Sequence, residues 1–347
     1  MYIVIAIIMF GVLIAIHEFG HFATAKACGV RVDEFSIGMG PAIFKKQKGE
    51  TQYSLRILPI GGFCAMGEDE ESDDPRAFPN QNFWKRFLIL CAGSFMNFLL
   101  GVVLIVIMYG GAEAFRAPII TDFLDGCQYN TPETFQAGDE FYSIDGHRIY
   151  LISDVSMFLE RGDGVYDIVM LRGGQKVEFN DMKLVPTIES EQGLKYGFVW
   201  GIEKATFGVK LEYVWNTAKE FSRLVWLGLG DLIHGAVGVD DMAGPVGIVD
   251  MMNEAGSSAA STADAMYSML YFSAFIAINL AIMNMLPIPA LDGGRVFLMI
   301  VTVIIEAITK KKLDPKYEGY IHAGGMVLLL LLMGFIMYND IARLITG

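Results

Sequence analysis

The sequence has little positive charge, few cysteines and few charged residues of either sign. Its 26 Lys and Arg residues are outnumbered by 39 Asp and Glu residues, and the net charge of −13 argues against nucleic acid as a partner. The four cysteines stand singly, without a CxxC pair, which argues against a thiolate zinc site and a disulfide framework. The chain is instead apolar: 53% of its residues are hydrophobic and its mean hydropathy is +0.43, as is typical of a membrane protein.

A basic N-terminal region is also missing, because the first basic residue is Lys26. Cleaved signal peptides begin with such a region. The apolar run that starts at residue 2 continues to residue 28, which is long enough to cross a bilayer as a helix. We therefore predict a retained transmembrane helix over residues 2–28.

Three further apolar runs predict membrane-spanning helices over residues 87–110, 265–287 and 321–345. The second span contains GSFMN (93–97), whose small residues allow a neighbouring helix to approach closely. Its Asn97 is a polar amide in hydrocarbon and is expected to face inward, for either a helix–helix hydrogen bond or a substrate contact. The third span runs into Pro287 and Pro289, which break a regular helix because each lacks an N–H donor. Broken backbone at membrane depth requires a protein or water-filled surrounding, so Asp292 is expected to face a polar partner.

The segments between the spans have the character of soluble or surface structure. Short alternating stretches between glycine turns predict β-hairpins over residues 30–66, within a membrane region that covers residues 1–112. Residues 113–188 combine strands, an Asp-Gly turn, a short helix and a hairpin in an order that resembles a PDZ domain. Such domains bind extended chains by adding a strand to a sheet edge.

Residues 189–262 predict a linker on the membrane surface. Charge interrupts its apolar positions too often for a span, so we expect an amphipathic helix on the membrane, against the spanning helices or on the soluble insert. GPVGI (244–248) reads as a rigid turn, and the last two spans fall within residues 263–347. The predicted fold class is an α-helical membrane protein with about four transmembrane helices, a membrane-associated β-hairpin region and an inserted PDZ-like α+β domain.

The motif HEFGH (17–21) lies inside the first apolar run. On a helix, residues four apart share one face, so the imidazoles of His17 and His21 can bind a single ion. Glu18 stands beside the first imidazole, where a carboxylate can act as a general base. This pattern indicates a zinc hydrolase centre.

A hydrolytic zinc keeps three protein ligands and one open position, so a third ligand must come from elsewhere in the chain. The remaining histidines lie in the soluble insert, the surface helix and a helix end: His147, His234 and His322. A carboxylate is therefore the better candidate, and Asp292 lies in the forced break of the third span. Glu306 competes with it, but Lys310 to Lys312 nearby give Glu306 an ordinary ion-pair explanation.

Basic residues near the helix ends predict the orientation of the chain. They cluster after the first and third spans, at Arg31, Lys45, Lys46, Lys48, Lys85 and Arg86, and at Arg295, Lys310, Lys311, Lys312 and Lys316. Because such loops stay in the cytoplasm, both termini and the PDZ-like insert are predicted to be extracytoplasmic. The HEFGH motif and Asp292 then lie at matching depth, toward the cytoplasmic side.

HEFGH, GSFMN and NMLPIPALDG (284–293) together resemble the motifs of the site-2 protease family of intramembrane zinc metalloproteases. The single PDZ-like insert followed by GPVGI is similar to the bacterial regulator-of-sigma protease branch. The resemblance implies Zn²⁺ as cofactor, with His17, His21 and Asp292 as ligands and Glu18 as general base. It also implies a multi-pass protein of the bacterial cytoplasmic (inner) membrane.

The resemblance further implies contacts with an unwound substrate. Asparagines before the Pro-x-Pro pair would contact the substrate backbone, and residues 53–57 match a hairpin proposed to pair with a substrate strand. The predicted substrate-binding residues are Asn97, Asn279, Asn284, Tyr53, Leu55, Pro287 and Pro289.

The implied partners are the lipid bilayer and single-pass membrane proteins already trimmed by another protease, such as anti-sigma factors and signal-peptide remnants. Enterobacterial relatives carry two PDZ domains, whereas residues 187–200 leave no room for a second one here. Two other classes of function stay open at this point. A membrane-anchored PDZ scaffold would need neither zinc nor Glu18, and a metal transporter would not require a glutamate between the two histidines.

Overall fold

The structure is a computed structural model that describes residues 1–67, 72–131, 133–190, 193–238, 242–310 and 316–346. The chain divides into two compact units, one of residues 1–105 with 221–347 and one of residues 106–220. Within the described residues, four helices have the length and composition to cross a membrane: Tyr2–Ala27, Phe83–Gly110, Thr262–Met283 and Gly319–Arg343. The predicted set of four spanning helices is therefore confirmed.

The first unit is built mainly of helices. They are α1 (Tyr2–Ala27), most of α2 (Phe83–Gly110), the end of α4 (Phe207–His234), α5 (Pro245–Ser257), α6 (Thr262–Met283), α7 (Asp292–Thr309) and α8 (Lys316–Thr346), with a 3₁₀ turn at Phe78–Asn80. Helix α1 ends because Gly29 adopts a left-handed conformation (φ 75°), and the N–H groups of Gly29 and Val30 bond back to the carbonyls of Lys26 and Ala25. Ala25 and Val30 are both buried in the same apolar cluster, which fixes the exit of the chain from the helix.

The GPVGI segment is not the turn that we predicted, because Pro245 begins helix α5. Proline fits the first helical position, where its missing N–H would have no intrahelical partner. The buried Asp340 of α8 accepts hydrogen bonds from the N–H groups of Gly244 (3.1 Å) and Gly247 (2.9 Å). A carboxylate from another helix thus caps the start of α5.

The first unit also contains an antiparallel sheet of two strands: β1 (Glu34–Lys48) and β2 (Thr51–Ala65). These strands are longer than the short ones we predicted, and they bend at glycines with positive φ: Gly38, Gly40 and Gly61. Because of the bends, Tyr53 pairs with Phe35 on one side and with Lys46 on the other, whereas Cys64 pairs with Phe35 alone. Residues 62–65 therefore form an edge of this sheet, as far as the described strands show.

The second unit is organised around an antiparallel sheet of order β10-β3-β4-β6-β7, with β5 paired to β4. Its strands are β3 (Ala114–Phe123), β4 (Glu140–Ile144), β5 (His147–Arg148), β6 (Val165–Arg172), β7 (Gln175–Lys183) and β10 (Phe198–Lys204), with helix α3 (Ile152–Arg161) and a separate hairpin of β8 (Ile188–Ser190) and β9 (Gly193–Lys195). Asp145 and Gly146 both have positive φ, as the predicted Asp-Gly hairpin turn requires. We predicted that the insert ends at residue 188, but β10 pairs with β3 and extends the sheet to Lys204.

Candidate metal centre

Two imidazoles and one carboxylate converge in the first unit. The Nε2 atoms of His17 and His21 lie 3.2 Å apart, and Asp292 Oδ2 lies 3.1 Å from the first and 3.2 Å from the second. The histidines lie one turn apart on α1, and Asp292 is the first residue of α7. Among the described residues, these three form the group that could hold a metal ion, and Glu306 does not belong to it.

A residue outside the His17–His21–Asp292 group fixes the orientation of the His21 imidazole. Its Nδ1–H donates a hydrogen bond to the Ile89 carbonyl of α2 at 2.8 Å. A carbonyl can only accept, so Nδ1 carries a proton, and the neutral form of the ring then has its lone pair at Nε2. The His17 ring stands edge-on to it, with ring centroids 4.8 Å apart. Both rings therefore direct Nε2 toward Asp292.

Gly93 of α2 packs directly against the two imidazoles, a contact that the sequence did not reveal. A Cβ at this position would overlap His21 Nε2 and would lie 2.7 Å from His17 Cε1. Gly20 of α1 makes a matching approach, because a Cβ there would overlap the Ala92 carbonyl. The small residues that we expected to admit a neighbouring helix thus bring the α2 backbone against the imidazoles themselves.

The break between α6 and α7 presents Asp292. Residues 284–291 turn back on the first turn of α7, where the Gly293 N–H donates to the Asn284 carbonyl at 2.7 Å. Gly294 also faces backbone, because a Cβ on it would overlap the Ile288 carbonyl. Helix α7 begins at Asp292, and the pair of glycines that follows is required by this close packing.

Glu18 lies beside His17 and close to the edge of the β1–β2 sheet. A Cβ on Gly62 would lie 3.2 Å from Glu18 Cγ, and the Cys64 backbone N–H bonds to the Glu18 carboxylate. The strand edge at residues 62–65 therefore runs directly beside the carboxylate that follows His17.

Comparisons with known proteins agree with this geometry. A model of peptidase family M50 matches residues 5–332. The chain belongs to peptidase family M50. It is 35% identical to a protein of Clostridium perfringens named "Putative zinc metalloprotease", over 98% of both chains. It is 27% identical to "Zinc metalloprotease RasP" of Bacillus licheniformis, over 97% of this chain and 98% of that one.

Family membership confirms several predictions made from the sequence. This M50 peptidase is an intramembrane zinc metalloprotease, and it is a multi-pass protein of a bacterial membrane. The comparisons therefore support the protease hypothesis over the scaffold and transporter hypotheses.

The three side chains of this M50 peptidase fit a zinc ion. Ligand atoms about 2.0–2.1 Å from a tetrahedral zinc lie about 3.3 Å from one another, close to the 3.1–3.2 Å observed here. Asp292 Oδ2 is buried and has no hydrogen-bond partner among the described residues. A buried carboxylate oxygen facing two imidazole nitrogens is explained by a cation that all three share.

The predicted substrate-binding residues lie in different environments. Asn97 is 1% exposed, and its Oδ1 has no hydrogen-bond partner among the described residues. Asn279 lines a cavity of about 540 Å³ walled by α1, α4, α5 and α6. Asn284 caps the end of α6. Pro287 opens the break, and Pro289 packs against Gly325 of α8.

Tyr53 and Leu55 do not lie at the edge of their sheet. Leu55 pairs with Ile37 on one side and with Phe44 on the other, and Tyr53 is likewise paired on both sides. A substrate strand cannot add at these residues without displacing one of the enzyme's own strands. The predicted pairing position therefore requires correction, and the edge beside Glu18 is at residues 62–65.

Adding a methyl group at Gly93 should damage the centre without changing any ligand. We expect Gly93→Ala to lower zinc affinity by about 10- to 100-fold, because its Cβ must displace both imidazoles. Bound zinc per molecule after graded chelator treatment measures this effect. Gly110→Ala is the control, because a Cβ there has no heavy atom within 4 Å and zinc binding should not change. Equal zinc retention in the two variants would contradict the assigned role of Gly93.

Proposed function

We propose that this peptidase cleaves transmembrane segments of single-pass membrane proteins, with His17, His21 and Asp292 as zinc ligands and Glu18 as general base. The observation that carries the proposal is the triangle of candidate ligand atoms, 3.1–3.2 Å on each side, two of which belong to a helix long and apolar enough to span a membrane. A location within the membrane selects membrane segments as substrates.

Zinc, Glu18 and the Cys64 N–H group have separate roles in hydrolysis. Zinc, when bound, makes a water molecule nucleophilic near neutral pH and polarises the scissile carbonyl. Glu18 accepts the proton of the attacking water and returns it to the leaving amine. The Cys64 N–H bond to its carboxylate orients Glu18 for this task. His21 is buried beside α2, which limits the access of other water to the centre.

A peptide bond in a helix is shielded, so the substrate must unwind before attack. We assign residues 62–65 as the strand that receives it, because this edge lies beside Glu18. Backbone hydrogen bonds along an edge stabilise an extended chain whatever its sequence. We propose that the C-terminal end of α6 and the break after it contact the same substrate segment. The residues are Asn279, Asn284, Pro287 and Pro289.

The finer assignments concern the substrate and the orientation. We propose that the antiparallel insert is a PDZ-like domain outside the cytoplasm, together with both termini, and that the metal centre lies toward the cytoplasmic side. The basic residues after α1 support this orientation. Pre-trimmed anti-sigma factors and signal-peptide remnants are the proposed substrates, in line with a regulator-of-sigma type of protease.

Disulfide trapping tests the substrate path. In a Glu18→Gln background with Cys28, Cys91 and Cys127 replaced by serine, native Cys64 should crosslink to a single cysteine near the cleavage site of a model transmembrane substrate. The control moves the enzyme thiol by Cys64→Ser with Leu55→Cys, where no crosslink should form because Leu55 lies two strands away from the edge at residues 62–65, about 10 Å and beyond the reach of a disulfide. Crosslinking at residue 55 but not at residue 64 would refute the assigned edge.

A further inference from the structure

The break between α6 and α7 depends on a hydrogen bond from another helix. Residues 287–291 include two prolines and therefore have only three N–H donors. Two of these bond to carbonyls within residues 286–288, at 2.7 and 3.2 Å. The third, the N–H of Ala290, donates to Nδ1 of His322 on α8 at 3.3 Å. Because buried N–H groups require partners, His322 completes the hydrogen bonding of this segment.

Ala290 is also the point at which the backbone of the break is strained. Its φ is 82°, in the left-handed region that residues with a Cβ rarely adopt. Such a conformation persists only where the surroundings impose it. Two residues later the chain enters α7 with Asp292. The conformation of Ala290 therefore helps to set where the carboxylate points.

The surface of α8 is shaped to receive this turn. His322 is 8% exposed, and Gly325 lies three residues later on the same helix face. A Cβ on Gly325 would overlap Pro289 Cβ and would lie 2.8 Å from the Pro289 carbonyl carbon. The imidazole and the glycine thus hold the Pro289–Ala290 turn from one side, by a hydrogen bond and by close packing.

We propose that His322 is a positioning residue of the metal centre, which holds the Ala290 backbone so that Asp292 meets His17 and His21. The imidazole does this through its hydrogen bond to Ala290 and is not itself a ligand. The inference rests on the proposed role of Asp292 as a zinc ligand.

Removal of the imidazole should weaken zinc binding without removing a ligand. His322→Ala is expected to lower zinc affinity by about 10- to 100-fold, the cost typical of losing an outer partner of a metal site. Chelator competition on the purified full-length enzyme in detergent measures the affinity. Tyr320→Ala is the matched control on α8, because Tyr320 is 73% exposed, and its zinc affinity should equal that of the wild type.

Two isosteric variants separate hydrogen bonding from packing. Asparagine places a polar atom where Nδ1 of histidine lies, whereas glutamine places it at the position of Nε2. His322→Asn should therefore keep zinc affinity within about 3-fold of the wild type, and His322→Gln should lose nearly as much as His322→Ala. Addition of Ala290→Gly to His322→Ala should restore much of the loss, because glycine adopts a positive φ without strain.

A spectroscopic readout distinguishes positioning from general stability. In the cobalt-substituted enzyme, His322→Ala should shift the visible absorption bands, which report the arrangement of ligands, and His322→Asn should not. Unchanged zinc affinity and cobalt spectrum in His322→Ala, or equal behaviour of the Asn and Gln variants, would overturn the inference. If Asp292→Ala keeps full zinc affinity, the proposed ligand set fails; if only the His322 variants behave as wild type, this inference alone fails.

Discussion

Glu18→Gln should abolish detectable cleavage of a transmembrane substrate and leave the zinc content unchanged. The amide has nearly the same size as the carboxylate but cannot accept a proton from water. Loss of a general base costs about 10²- to 10⁴-fold in rate. Because Glu18 is not in the metal-binding triangle, the ligands His17 and His21 should keep their positions. Cleavage of a model substrate in proteoliposomes, together with zinc per molecule, measures both effects.

Glu306→Gln is the matched control for this variant. Glu306 is likewise a glutamate within an apolar helix, in this case α7, but it does not belong to the group that could hold a metal ion. Its activity should stay within about 2-fold of the wild type, as expected for a residue outside the catalytic centre. Cleavage by Glu18→Gln at the wild-type rate would remove Glu18 from the mechanism.

Asp292→Ala should remove both zinc and activity. This change leaves two imidazoles, whereas a hydrolytic zinc requires three protein ligands. The loss of affinity should exceed the about 10- to 100-fold that the loss of an outer partner costs. Cleavage should fall with zinc occupancy, and excess zinc should restore little of it. Zinc affinity by chelator competition and cleavage rate at saturating zinc are the two measurements.

Asp250→Ala controls for the removal of a carboxylate. Asp250 lies exposed on α5, so the change should alter neither zinc affinity nor cleavage. If Asp292→Ala bound zinc as tightly as Asp250→Ala, the third ligand would have to be sought outside the triangle.

The two histidine ligands and the break near Asp292 could be predicted because each depends on local sequence. Helical periodicity alone places His17 and His21 on one face. Proline chemistry alone requires a break near residues 287–289. The convergence of Asp292 with the histidines could be expected only from matching depth, and the structure brings it within 3.2 Å of both.

Features that depend on pairing between distant segments could not be predicted in this way. The strand at residues 53–57 was expected to receive the substrate, but its residues 53–55 are paired on both sides, because the strands bend at glycines that the alternating pattern does not reveal. Strand β10 joins the insert through pairing with β3, far away in sequence. Such non-local contacts leave no periodic signal in a single sequence.

Other features could not be predicted because the same residue type is compatible with more than one structural role. Pro245 is compatible with a turn and with the first position of a helix, and the Asp340 cap that favours the helix comes from α8. His322 was set aside as a poor ligand, but its role depends on an N–H in another segment. Gly93 was read as a packing residue, although what it packs against is the imidazole pair.

The ligand triangle also has a consequence for biosynthesis. Two of its members come from α1, and the third comes from α7, which is synthesised much later. Chains are synthesised from the N-terminus, so the centre cannot exist in a nascent chain that ends before residue 292. Zinc bound by all three residues would also link α1 to α7 and reduce the conformational freedom of the segment between them. If these three residues hold the zinc ion, hydrolytic activity can begin only after α7 has been made.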